Sequence, residues 1–179
     1  AQLSRGLGDV YKRQGLCIVC GAVISTVAVS LRDQQEQNVI FDQQSKIIDA
    51  ARLLEVYPSS QEALASIEEV VVNLNDGQPS GIPPQQYDLD SILRDPSQHT
   101  VLNGSEDIAM ISVRENLSKV YIEYRNNELK TLILPVRGYG LWGTLYGYLA
   151  LDSDLNTIVG LEFYKHKETP GLGAEVDNP

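Results

Sequence analysis

A chain of 179 residues, 42% apolar and with nine tyrosines, has material for one hydrophobic core and is short for two ordinary domains. Its 24 acidic residues outweigh 14 basic ones, giving a formal charge of -10 and a pI near 4.6. Phosphate binding needs clustered Lys and Arg, so this balance excludes a nucleic-acid partner, and the apolar content excludes a globally disordered chain.

Residues 1–14 are read as a non-native N-terminus, because GLGDVYKRQ at 6–14 resembles translated library-adapter sequence. Residues 15–31, GLCIVCGAVISTVAVSL, carry no charge and reach the short end of the roughly 17–25 residues that cross a bilayer. They predict a transmembrane helix. Lys12 and Arg13 precede it while Asp33 and Glu36 follow, which places the start in the cytoplasm and residues 32–179 outside. That basic flank lies in the stretch read as non-native, so orientation has little support from it. A cleaved signal peptide is the competing reading, with Ala28-Val29-Ser30 as its small-x-small site. Cys17 and Cys20 have C-x-x-C spacing, but a lipid-buried thiolate is disfavoured by desolvation, and both read as small apolar fillers.

In FDQQSKIIDAARLLEV, Ile47, Ala50, Ala51 and Leu54 recur at helical spacing with Asp42 available as an N-cap. A second helix is predicted from Ser59, where Ser59 and Glu62 form a capping box and Leu64, Ile67, Val71 and Leu74 line one side until Asn75-Asp76-Gly77. Residues 76–100 hold four of the eight prolines and read as an extended loop that drapes over the core, with His99 solvated on it. From Lys119 the period becomes two. One hairpin turns at Asn126-Asn127 and a second at 152–156, so the fold class is α+β: an antiparallel sheet with helices to one side, behind the N-terminal membrane helix.

No G-x-S-x-G, Walker loop or H-E-x-x-H is present, and the two histidines are far apart, which speaks against a hydrolase triad. Two glycine-rich stretches remain. In Arg137–Thr144, glycines allow close backbone approach and Trp142 offers a flat surface for a planar ring, while composition alone favours a bend between hairpins with a Trp over the core. Thr169-Pro170-Gly171-Leu172 fits a type II turn, after which Gly173 leaves the chain bare. Such a turn exposes N–H groups to an anion or a ring edge, with Glu168 and Thr169 adding side-chain hydrogen bonds; a plain turn after a strand is the other reading. His166, between two lysines, reads as solvated.

Taken together, GLCIVCGAVIS and PVRGYGLWGTLYGYLALDSDLNTIVGLEFYKHKETPGLGAEVDNP resemble the C subunit of the sodium-translocating NADH:quinone oxidoreductases across residues 15–179. ETPGLG is shared with the G subunit of the Rnf electron-transport complex, whereas GLWGTLYG and AEVDNP look like the sodium pump's protein. The resemblance implies a bacterial inner-membrane protein with a single span at 15–31 and an extracytoplasmic FMN-binding domain over 32–179. It implies FMN as cofactor, joined by a flavin transferase to a threonine of an S-G-A-T motif expected beyond residue 179, with the domain incomplete at its C-terminus and flavin binding by these residues weak or absent. Carried over by position, the non-covalent wall comprises Trp142, Gly143 and Thr144 with Glu168, Thr169, Gly171, Leu172 and Gly173. No catalytic or metal-ligating residue is implied. The expected role is electron relay between a membrane redox centre and a flavin in a partner protein, alongside the other subunits of the complex. The Rnf protein and a membrane-anchored extracytoplasmic sensor are the alternatives.

Overall fold

The computed structural model describes residues 2–177, with side chains described over 10–176; Ala1 of the stretch read as non-native, and Asn178 and Pro179 of AEVDNP, lie outside the described residues. The chain divides into two units, Ala1–Phe41 and Asp42–Pro179.

The first unit is helical throughout its described length. Helix α1 runs Gln2–Ala50, and from Val10 it contains a window of mean hydropathy 2.0 that is 0% buried, long and apolar enough to cross a membrane. The sequence predicts a span at 15–31 and a separate helix capped by Asp42. Instead α1 is one element and Asp42 is interior to it. Residues 32–50 contain neither Pro nor Gly, so nothing in them ends a helix.

In the second unit the end of α1 becomes amphipathic. Ile47, Ile48 and Ala50 are buried, and Ala51 and Leu53 continue the apolar surface. The helix ends at Ala50, and Arg52, with a left-handed φ of 50°, leads into a 3-10 turn at Leu53–Glu55. Leu54, expected on the buried stripe, is 52% exposed because the helix has ended before it. Helix α2, Ser60–Ala65, starts at the expected cap: Ser59 Oγ accepts from the Glu62 N–H at 3.3 Å.

It does not continue to Leu74. Residues Ile67–Asn73 form strand β1, paired antiparallel along its whole length with β4, Leu117–Arg125. Three successive β-branched residues, Val70 to Val72, favour the extended chain, and the ladder to β4 overrides the helical spacing. Loop 76–100 is likewise more ordered than expected. It carries a 3-10 turn at Pro84–Gln86, helix α3 at Leu89–Arg94 capped by Asp88, and strand β2, His99–Val101, paired with β3, Val113–Glu115. Ile92 is buried and Tyr87 donates its hydroxyl to the Leu117 carbonyl at 3.3 Å, so the segment does drape over the sheet. His99 lies on β2, half-buried, rather than on a solvated loop.

Strands β5, Glu128–Tyr139, β6, Thr144–Asp152, and β7, Ile158–Lys165, complete a sheet of order β1-β4-β5-β6-β7, antiparallel throughout. The predicted turn is present: Asn126 and Asn127 both have positive φ, 54° and 63°, matching the twist of a two-residue hairpin. The second turn, after Asp152, is closed by Asp154, whose carboxylate accepts from the N–H groups of Asn156 and Thr157.

One sheet face carries the row Tyr121, Ile133, Ala150, Gly160, and the end of α1 packs on it. Ile133 and Leu53 are almost fully buried, each contributing about 1.5–3 kcal/mol relative to exposure. Glu123 is buried in the same layer. It accepts from Tyr57 Oη at 2.9 Å and Thr131 Oγ1 at 2.8 Å and pairs with Arg125 at 2.6 Å, which supplies the partners a buried carboxylate requires.

Candidate functional site

The β5–β6 ladder ends at the Tyr139–Thr144 rung, leaving a four-residue tip, Gly140 to Gly143, closed by the Gly140 N–H donating to the Gly143 carbonyl at 2.7 Å. Leu141 and Trp142 stand exposed on it, 78% and 64%. At the same end of the sheet, β7 leaves its ladder at Tyr146–Lys165 and the chain turns back. Gly171 takes φ 75°, and the Leu172 N–H donates to the Thr169 carbonyl at 3.1 Å, the expected type II turn. A 3-10 turn, Gly173–Asp177, follows.

These two stretches, distant in sequence, lie against each other. Glu168 Oε1 accepts the Trp142 N–H at 3.1 Å. A β-carbon added to Gly143 would lie 3.0 Å from Lys167 Cδ, one on Gly173 would lie 2.8 Å from Glu168 Oε2, and one on Gly140 would overlap Glu168 Oε1. Absent side chains therefore let the tip and the turn close on the Glu168 carboxylate. Glu168 is fixed from its other side as well, since its N–H donates to His166 Nδ1 at 3.2 Å. His166 is thus half-buried and hydrogen-bonded rather than simply solvated.

Of the eight residues named from sequence, Trp142, Gly143 and Thr144 fall on the tip and the start of β6. Glu168, Thr169, Gly171, Leu172 and Gly173 fall on the facing turn. Exposed Trp142 and Leu172 (74%) supply apolar surface, and the Gly171 N–H makes no hydrogen bond to the described residues. A flat ring with a hydrogen-bonding edge fits that donor set, because indole and leucine can cover its faces while a backbone N–H meets its rim.

Sequence reasoning missed a second feature. A cavity of about 260 Å³ is lined by Tyr87, Tyr121, Tyr146, Tyr148 and Tyr164 with Arg137, Glu115 and Lys119. Tyr121 meets Tyr148 edge-on at 5.6 Å, and Tyr148 stacks on Tyr164 at 4.7 Å. Arg137 anchors one wall, donating to Glu115 Oε2 at 2.7 Å and to the Val113 carbonyl at 2.6 Å. Burial pushes the Tyr87 hydroxyl up to about 12, with the Glu115 charge adding to it, and burial raises Tyr121, Tyr148 and Tyr164 as well. These four hydroxyls therefore stay protonated well into the alkaline range. At this volume the cavity is below the roughly 300–1,000 Å³ usual for sites that enclose a drug-sized ligand. The alternation Tyr146-x-Tyr148 was the available signal. Among the described residues no cluster of His, Cys, Asp and Glu could hold a metal ion.

The FMN-binding domain family matches residues 140–178, the span that contains both the tip and the turn. Over 169 residues the chain is 45% identical to the C subunit of the Na(+)-translocating NADH-quinone reductase of Pseudomonas aeruginosa, covering 92% of this chain and 65% of that protein. The chain is homologous to these C subunits. The Vibrio vulnificus homologue is 39% identical over 166 residues with the same coverage. The crystal structure of Shewanella oneidensis NqrC superposes with a TM-score of 0.68 at 29% identity, covering 76% of this chain and 64% of that one. The Parabacteroides distasonis homologue gives 0.57, also at 29% identity, covering 83% and 65%. The chain thus spans just under two thirds of the length of the relatives it matches. The chain itself carries an apolar N-terminal helix followed by an antiparallel-sheet domain, and about three quarters of it superposes on the Shewanella oneidensis structure.

Proposed function

We propose that the protein is a flavin-carrying electron-transfer subunit of a sodium-translocating NADH:quinone oxidoreductase, holding FMN between the 140–143 tip and the 168–173 turn. The observation that carries this reading is the Trp142–Glu168 hydrogen bond, which supports a shared cradle inside the stretch matched by the FMN-binding domain. FMN, when bound, supplies one- and two-electron redox chemistry. The chain's own residues bind and orient it. Trp142 and Leu172 cover the ring and exclude water, Gly143 and Gly173 keep the backbone close, the Gly171 N–H meets a ring acceptor, and Thr144 and Thr169 supply hydroxyls at the rim.

In this reading α1 anchors the protein in the bacterial inner membrane, residues 32–179 are extracytoplasmic, and electrons pass from a membrane redox centre to a flavin in a partner protein of the complex. In this reading a flavin transferase would attach the FMN through its phosphate to a threonine. Alone the protein turns nothing over. Expression of the whole open reading frame with a flavin transferase, followed by denaturing electrophoresis, is expected to give a fluorescent band at the protein's mass; a dark band contradicts the assignment.

A further inference from the structure

Glu168 occupies an unusual place for a carboxylate beside an exposed loop. Its two oxygens take up the space that side chains at Gly140 and Gly173 would need, and Oε1 holds the N–H of Trp142. That N–H belongs to a four-residue tip whose ends are joined by the Gly140–Gly143 hydrogen bond. On the other side, the Glu168 N–H donates to His166, the residue just after β7, and the chain leads directly into the Thr169–Leu172 turn. One side chain therefore joins the two segments that face each other across the cradle.

We propose that Glu168 is the positioning residue of this cradle: its carboxylate locks the Gly140–Gly143 tip to the Thr169–Leu172 turn through the Trp142 amide and so sets the separation between indole and turn. The proposal rests on the flavin reading above and gives Glu168 a role distinct from direct contact with the ring. Reach matters more than charge here. Aspartate keeps the charge but is one methylene short, whereas glutamine keeps both the length and an acceptor oxygen. Gly140→Ala attacks the same lock from the other side, because its methyl group claims the volume held by Glu168 Oε1.

The test uses the full chain in detergent, unsubstituted and as Glu168→Ala, Glu168→Asp, Glu168→Gln and Gly140→Ala. Without flavin, exchange of the Trp142 amide is read by NMR. Glu168→Ala, Glu168→Asp and Gly140→Ala are expected to speed it about tenfold, the scale of losing one hydrogen bond to a charged acceptor, and Glu168→Gln to leave it within about threefold. With FMN added, the dissociation constant is expected to rise about tenfold in the first three variants and to be largely retained in Glu168→Gln. Unchanged Trp142 exchange in Glu168→Ala overturns the lock. A glutamine variant as impaired as alanine overturns the primacy of reach. If the unsubstituted chain shows no interaction with FMN at any concentration, these residues do not hold the flavin by themselves, the flavin reading is decided by the fluorescent band of the whole reading frame, and the flavin-free exchange data still decide the lock.

Discussion

Ala50 and Gly160 meet backbone to backbone: the carbonyl of the last residue of α1 fills the space where a side chain at Gly160 on β7 would begin. Lys46, one turn earlier on α1, pairs with Glu162 at 3.1 Å, with both side chains largely buried. The contact lets the helix end lie close on the sheet and seal the core at Ile133 and Ala150. Gly160→Ala is expected to destabilise the domain by about 1–3 kcal/mol, since a carbonyl cannot swing aside as a flexible side chain can. Gly104→Ala, where a β-carbon meets nothing within 4 Å, should change stability by less than about 0.5 kcal/mol. Denaturant unfolding of the two variants checks the contrast.

Glu123 is wholly buried and has three partners, of which Arg125 alone carries charge. Arg125→Met is expected to cost about 1–3 kcal/mol by leaving the carboxylate without its counter-charge. Adding Glu123→Leu should recover most of that loss, because removing both charges also removes the desolvation cost. A double-mutant cycle by thermal unfolding measures the coupling.

The tyrosine cavity sets an alkaline limit. Tyr87 is raised from its usual 10.0 to about 12 in the fold, so the folded state retains a proton that the unfolded chain has lost. Stability from this group is complete below pH 10.0 and falls as pH rises towards 12; Tyr121, Tyr148 and Tyr164, shifted the same way by burial, add to the fall. Tyrosinate absorbance for these four groups should therefore rise together with loss of circular dichroism in a single transition. Independent ionisation in a folded domain would contradict their burial.

The two hairpins were legible because their signals are local: alternation on both sides of Asn126-Asn127 fixes turn and register together. Strand β1 was not. Leu64, Ile67, Val71 and Leu74 imitate a helical stripe, and only the ladder to β4, about 50 positions away in sequence, decides for the strand. The same holds for α1, where the change from apolar span to amphipathic end suggested two elements although no residue between them breaks a helix. At the candidate site, both glycine-rich stretches and the type II turn could be read directly. Their closure on Glu168 could not, because it depends on the β6–β7 register that brings Tyr146 opposite Lys165.

FMN titration of the isotopically labelled full chain in detergent, followed residue by residue by NMR, tests the cradle most directly. Saturable, weak shifts are expected, concentrated at Leu141 to Thr144 and Glu168 to Gly173 and abolished by Trp142→Ala. Shifts confined to the tyrosine cavity, or an unaltered titration in the Trp142→Ala chain, would contradict the cradle.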